Sequence, residues 1–218
     1  MVEDASESLG TIYNNGDNSG KHTGTVGKIG CLSFNGNKII TTGGGGMILT
    51  DDTNYAEKTK YLTTQAKDDP VRYIHDEVGY NFRLTNIQAA LGVAQLEQLP
   101  EILDRKQEIH KRYTNSIEII DGLSIASGPD YAQNNYWLNI LQIDSLIYEE
   151  DREELMLRLQ QNGIQTRPAW TLNHLQKPYQ SCQSYKIFDA EQLVENSLCL
   201  PSSSKLSSVE LNKIIDCL

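Results

Sequence analysis

Short apolar runs and helical stripes alternate along the chain. Ile29 to Phe34 and Met47 to Thr50 read as buried strands set between glycine-rich turns. Tyr55 to Ala66 carries helical spacing through Tyr55, Thr59 and Leu62. A firmer helix start follows at Thr85 with Gln88, a capping-box pair whose side chains satisfy first-turn amides, ahead of the stripe Ile87, Leu91, Ala94 and Leu99. Pro100 marks a kink or restart, because it lacks an amide and clashes with the preceding turn. A second helical stretch runs through Ile102, Leu103, Ile109 and Tyr113.

Beyond Gly122 the pattern changes. Tyr136 to Ile143 predicts a strand. Asp151 with Glu154 predicts a cap for a helix carrying Leu155, Met156 and Leu159, stopping at Asn162-Gly163. Ile164 to Arg167 reads as a strand, Asp189 with Gln192 as a helix start, and Leu198 to Leu200 as a short strand. Ser207 with Glu210 caps a last helix through Leu211, Ile214 and Ile215. The second half is therefore a small α+β domain, with a boundary near residues 100 to 120.

Charge narrows the function classes. The 218 residues include 29 acidic and 19 basic ones, a net charge of -10. Without a basic cluster, such a chain is a poor match to a phosphate backbone, so a nucleic-acid-binding role is disfavoured. No apolar run approaches the roughly 18 residues of a membrane span. Cys31, Cys182, Cys199 and Cys217 show neither zinc spacing nor disulfide density, which predicts reduced thiols and a cytoplasmic location. Met1 to Ala5 has no basic or apolar leader character.

Several segments could hold chemistry. Lys38, in Ser33-Phe34-Asn35-Gly36-Asn37-Lys38, would be a nucleophile or base if glycine-lined surroundings removed its hydration; otherwise it is a surface lysine in a turn. Gly43 to Gly46 lacks the order of a phosphate-binding loop and reads as a turn needing positive φ. The carboxylates of Val2-Glu3-Asp4-Ala5-Ser6-Glu7 suit acid/base work or a helix-favouring charge pair. His22, His75, His110 and His174 share no ligand spacing, and His110 reads as solvated; Cys31 reads as a packed thiol. Trp170 beside Arg167-Pro168 lines a pocket or packs in a loop. Gly79 to Leu84, just before the capped helix, suits anion binding or an ordinary loop.

Taken in order, these stretches resemble the DegT family of pyridoxal 5'-phosphate (PLP) nucleotide-sugar aminotransferases. The resemblance rests on Glu3 to Gly10, Ser33 to Lys38, Thr41 to Gly46, His75 to Arg83, Asn86 to Gln98 and Thr166 to Trp170. Within that family the pattern is similar to enzymes making 4-amino-sugar precursors of bacillosamine- or legionaminic-acid-type glycans. It implies an α/β fold, the C-terminal part of the PLP-dependent aspartate-aminotransferase-like architecture. Residues 1–100 would be the end of the PLP-binding large domain, 101–120 a linking helix, and 121–218 the small α+β domain.

The resemblance also implies roles. Lys38 would condense with the cofactor aldehyde and move the proton. Asp4 would pair with the pyridinium nitrogen, Glu7 would lie near the phenolic oxygen, and Ser33 would donate to the phosphate. Asn81 would reach the phosphate of a neighbouring subunit, making a homodimer with shared sites. Arg167 and Trp170 would help place the nucleotide sugar. The reaction implied moves the amino group of glutamate to a 4-keto-6-deoxy nucleotide sugar. Lys38 disfavours the family's dehydrase branch, which carries histidine at that position.

Family members begin well before the segment matching Asp4, so the chain reads as N-terminally truncated. The chain alone is expected to be poorly stable, catalytically impaired, or both. The competing expectation is a non-catalytic fragment or subunit that binds a sugar nucleotide or dimerises with a complete partner.

Overall fold

A computed structural model describes all of residues 1–218. In chain order the elements are β1 (Val2–Asp4), β2 (Ile12–Tyr13), β3 (Ile29–Ser33), β4 (Gly46–Leu49), α1 (Thr53–Thr63), α2 (Asn86–Glu97), α3 (Leu99–Ile117), β5 (Leu123–Ile125), β6 (Ala132–Gln133), β7 (Asn139–Ile143), α4 (Ser145–Tyr148), α5 (Arg152–Gln161), β8 (Arg167–Pro168), α6 (Phe188–Glu195), β9 (Ser197–Leu200) and α7 (Ser208–Ile215). Two compact units form. The first comprises Met1–Leu103 with Gly128–Trp137, the second Asp104–Ser127 with Leu138–Leu218.

In the first unit, β3 is the middle strand of the sheet β1-β3-β4. It runs parallel to β1, with Asp4 opposite Cys31, and antiparallel to β4, with Ser33 opposite Gly46. The stretch Val2 to Glu7, for which a helix-favouring charge pair is one expectation, is strand through Asp4 and a turn at Ser6 and Glu7. Glu3 explains why β1 stays extended beside the loop preceding β3. Its carboxylate accepts the backbone N–H groups of Gly24 at 3.0 Å, Val26 at 2.7 Å, and Gly27. Burial raises the Glu3 pKa, but these three donors outweigh it and leave the carboxyl below its ordinary value.

Gly30 is required where that loop passes β3: a Cβ there would lie 1.8 Å from the Gly24 carbonyl oxygen. Segment Gly128–Trp137 returns to this unit, and β6 pairs antiparallel with β2. The α2 capping box forms as expected, with Gln88 N donating to Thr85 Oγ1 at 3.3 Å. The helix nevertheless buries no residue, and Ile87, Val93 and Leu96 stand exposed. Pro100 falls in the first turn of α3, where a missing amide costs nothing.

The second unit carries the larger core. Its sheet has the order β5-β7-β9-β8, all neighbours antiparallel. Alternation puts Leu141 and Ile143 of β7 into the core. Ile109, Tyr113 and Ile117 line one face of α3 and meet Leu155 and Leu159 of α5 and Leu211 and Ile214 of α7. The Asp151–Glu154 and Ser207–Glu210 boxes cap α5 and α7 as their sequences predict.

Three local expectations change. Helix α6 begins at Phe188 without a side-chain cap, so Asp189 lies inside the helix rather than before it. Of the expected strand Ile164 to Arg167, only Arg167 pairs, together with Pro168. The strand expected from Tyr136 starts at Asn139, because Tyr136 adopts a positive φ of 46° that breaks the extended backbone. His110, expected to be solvated, is half-buried. Its Nδ1 lies 2.9 Å from the Asn139 Oδ1, and burial lowers its pKa against the opposing effect of that contact.

Candidate active site at the ends of two parallel strands

Strands β1 and β3 are parallel neighbours, so their carboxyl ends lie at the same edge of the sheet. That edge is where open α/β sheets gather ligand-binding groups. Asp4 ends β1 and Ser33 ends β3. After β3 the chain turns through Asn35 to Lys38, with Lys38 N donating to Asn35 O at 3.1 Å. This turn sends the lysine side chain back over the edge. Lys38 Nζ lies 3.2 Å from Glu7 Oε1, and the lysine side chain is only 12% exposed while that of Glu7 is 51% exposed.

Asp4 completes the group. Its carboxyl is held below the usual range, first by hydrogen bonds from the Ser6 hydroxyl and backbone amide, and further by the positive charge of Lys38. The Ser6 amide donates to Asp4 Oδ1 at 3.2 Å. Lys38 is thus not the free surface lysine of the simpler reading. It is a largely covered amine paired with Glu7, and its charge is felt at the Asp4 carboxyl.

The other face of the amine is closed by a residue that sequence reasoning did not select. Lys38 Nζ sits 4.3 Å from the ring centre of Trp137. The Trp137 Nε1–H donates to Asn37 O at 2.6 Å, and its backbone N–H donates to Asn135 Oδ1 at 3.0 Å. Asn135 in turn donates through Nδ2 to the carbonyls of Glu7, at 3.0 Å, and Leu9, at 2.9 Å. Both residues are buried. A tryptophan following Asn-Tyr was the available signal, but nothing local ties it to a lysine 99 positions earlier.

The remaining expected residues are placed as follows. Ser33 Oγ accepts from Asn35 N at 3.4 Å, at the strand edge that carries Asp4. Asn81 is exposed and forms an isolated bridge with Thr64 in the loop before α2. Arg167 and Trp170 belong to the second unit. Arg167 is exposed on β8 with Nη1 donating to the Thr166 carbonyl at 3.1 Å, and Trp170 is 59% exposed. Gly43 to Gly45 end the connection between β3 and β4, with φ of 78° at Gly43 and 85° at Gly45, so they serve as a turn, and Gly46 opens β4 opposite Ser33.

Comparison with known proteins gives one consistent result. Residues 1–218 match the DegT/DnrJ/EryC1/StrS aminotransferase family. EpsN, a candidate pyridoxal phosphate-dependent aminotransferase of Bacillus subtilis, is 39% identical over 224 residues, covering 100% of this chain and 55% of EpsN. GDP-perosamine synthase of Caulobacter vibrioides is 32% identical over 218 residues, covering 99% of this chain and 57% of the synthase. The crystal structure of the aminotransferase TlmJ from Streptoalloteichus hindustanus superimposes with a TM-score of 0.88 at 27% identity, over 99% of this chain and 56% of TlmJ. The chain therefore spans a little over half the length of these relatives.

Proposed function

Because the chain belongs to the DegT/DnrJ/EryC1/StrS family of PLP-dependent sugar aminotransferases, we propose that it forms the Lys38-bearing part of an enzyme that moves the amino group of glutamate to a 4-keto-6-deoxy nucleotide sugar, for surface-glycan synthesis in the cytoplasm. The observation carrying this reading is the Lys38, Glu7 and Asp4 cluster at one sheet edge. A primary amine, an ionised carboxylate and a neighbouring hydroxyl fit a group with an aldehyde, a basic ring nitrogen and a phosphate. The relative named for a GDP-linked product supports a nucleotide sugar as acceptor. In structural terms residues 1–100 would belong to the cofactor-binding domain, 101–120 to the linking helix and 121–218 to the small domain.

PLP, when bound, supplies an electron sink for the carbon that loses its proton. Lys38 Nζ would hold the cofactor until the amine of glutamate displaces it, and the freed Lys38 amine would then lift the proton from the amino-bearing carbon of glutamate and later deliver one to the sugar carbon. Asp4 stays ionised beside it and holds a proton on the cofactor's ring nitrogen. Ser33 binds phosphate through its hydroxyl, and Glu7 keeps the amine oriented toward the sheet edge. Arg167 and Trp170 position the nucleotide sugar.

Asn81 serves the phosphate of a second subunit, which makes the active form a homodimer. The exposed apolar residues Ile87, Val93 and Leu96 on α2 support a partner over that helix. No helix of the chain is long and apolar enough to cross a membrane.

The test is chemical trapping. The chain is mixed with PLP, reduced with borohydride and mapped by peptide mass spectrometry. The expected result is pyridoxyl label on Lys38 and its loss from that peptide in Lys38→Ala. Label spread over exposed lysines with none at position 38 would end the proposal.

A further inference from the structure

We propose that Asn135 and Trp137, on the returning segment, are positioning residues that set the Lys38 amine relative to Glu7. The inference rests on the functional reading above for what the amine does, and on separate contacts for how the amine is held.

A lysine side chain has four rotatable bonds and strong hydration, so one ion pair leaves it considerable freedom. Here a second, rigid surface restricts it. Trp137 offers its ring face to Lys38 Nζ, while its indole N–H grips the carbonyl of Asn37, the residue just before the lysine. One planar side chain therefore fixes both the backbone entering Lys38 and the tip leaving it. Asn135 acts on the other partner. Its two amide hydrogens hold the carbonyls of Glu7 and Leu9, and its backbone N–H donates to Thr11 Oγ1 at 3.2 Å. Its Oδ1 accepts from the Trp137 amide, joining the two grips.

Between them Tyr136 takes a φ of 46°, a left-handed conformation unfavourable for a non-glycine residue that persists only where surroundings impose it. That turn lets Asn135 and Trp137 reach different halves of the Lys38–Glu7 pair. If the segment served packing alone, an apolar residue at 135 would serve as well. A buried amide with both hydrogens committed to the Glu7 turn indicates orientation of that turn.

The experiment uses the full 218-residue chain and two readouts. The first is acetylation of Lys38 by acetic anhydride relative to exposed Lys60, which needs no cofactor. The second is the rate of PLP capture at Lys38, trapped as above. Trp137→Leu is expected to raise Lys38 acetylation at least roughly fivefold, by removing the ring that covers and orients the amine. It should also slow PLP capture by a similar factor. Trp137→Phe, which keeps a ring face, should stay closer to the unsubstituted chain. Asn135→Ala does not uncover the amine directly, so a rise in Lys38 acetylation there reports lost positioning.

Unchanged acetylation in Trp137→Leu or Asn135→Ala overturns the inference. So does faster PLP capture in Trp137→Leu, which would make the ring a mere cover. Loss of hydrogen-exchange protection across β3 in parallel with labelling also overturns it, since the residues would then support the strand. An unsubstituted chain that takes no PLP at Lys38 defeats the functional reading instead, and the acetylation of Asn135→Ala then decides this one.

Discussion

Lys38 Nζ and Glu7 Oε1 meet at 3.2 Å across a sequence separation of 31 residues, brought together because β1 and β3 run side by side in the same direction. Half of the Glu7 side chain remains in water, so the pair contributes little to folding, of the order of 0–1 kcal/mol. Glu7→Gln is therefore expected to leave the denaturant midpoint nearly unchanged. PLP capture at Lys38 should slow severalfold if Glu7 acts by holding the lysine tip at the sheet edge, and should quicken if its charge only keeps the amine protonated. Matched unfolding and trapping curves measure the two effects.

Asp4 should behave differently. Ser6 and Lys38 hold its carboxyl below the ordinary range, so the charge persists at neutral pH. Asp4→Asn keeps the shape and removes that charge. On the proposed function, glutamate-dependent turnover should fall about 10²–10⁴-fold with little change in thermal midpoint.

Glu3 gives an acid-stability prediction. Its folded pKa is depressed, so it contributes stability above its ordinary value of 4.5, and that contribution disappears as pH falls through the folded value. Glu3→Gln should cost about 1.5–3 kcal/mol near pH 7, the range of hydrogen bonds to a charged group. The difference from the unsubstituted chain should shrink below pH 4.5. Urea unfolding of both chains between neutral and acid pH checks this.

Lys106 predicts the opposite end of the scale. Burial pushes its pKa down from 10.5 to about 8. Below about 8 both folded and unfolded chains carry the proton and the burial penalty is constant. Between about 8 and 10.5 only the unfolded chain carries it, so stability rises with pH, by up to about 1.4 kcal/mol per unit. Lys106→Met should lack that slope. Unfolding free energies of the two chains across this window give the comparison.

Shared sites can be tested by mixing. If Asn81 serves the partner's phosphate, Lys38→Ala and Asn81→Ala chains are each inactive alone. Random dimers of the two would contain one intact site in half of the molecules, restoring about one quarter of full activity. Turnover that stays at background after mixing would rule out the shared arrangement.

The parts legible in the sequence are those with a local cause. Three capping boxes, at Thr85, Asp151 and Ser207, announce themselves within four residues, and each forms. The strands around Cys31 and Ile48 follow from apolar runs bounded by glycine, but β4, expected to be buried, leaves Met47 and Ile48 exposed. The stripe of α3 predicts the buried Ile109 and Tyr113. Reading Asp189 as a cap failed because a carboxylate three residues before a glutamine also occurs inside a first turn, as it does in α6. His110 looked solvated because its helical neighbours are charged, whereas its partner Asn139 comes from a strand 29 residues later. Trp137 and Asn135 were not found for the same reason: their partners are set by the return of the chain, which no periodicity encodes.

That return has a consequence for dissecting the protein. Since Gly128–Trp137 belongs with Met1–Leu103, a single cut anywhere in the chain leaves at least one piece that mixes residues of both units or lacks some of its own. A cut placed between residues 103 and 128 would leave the lysine and its indole on different pieces, joined only by non-covalent contacts. A working graft must therefore carry all three passages of the chain between the units, or supply a new tryptophan-bearing strap in place of Gly128–Trp137.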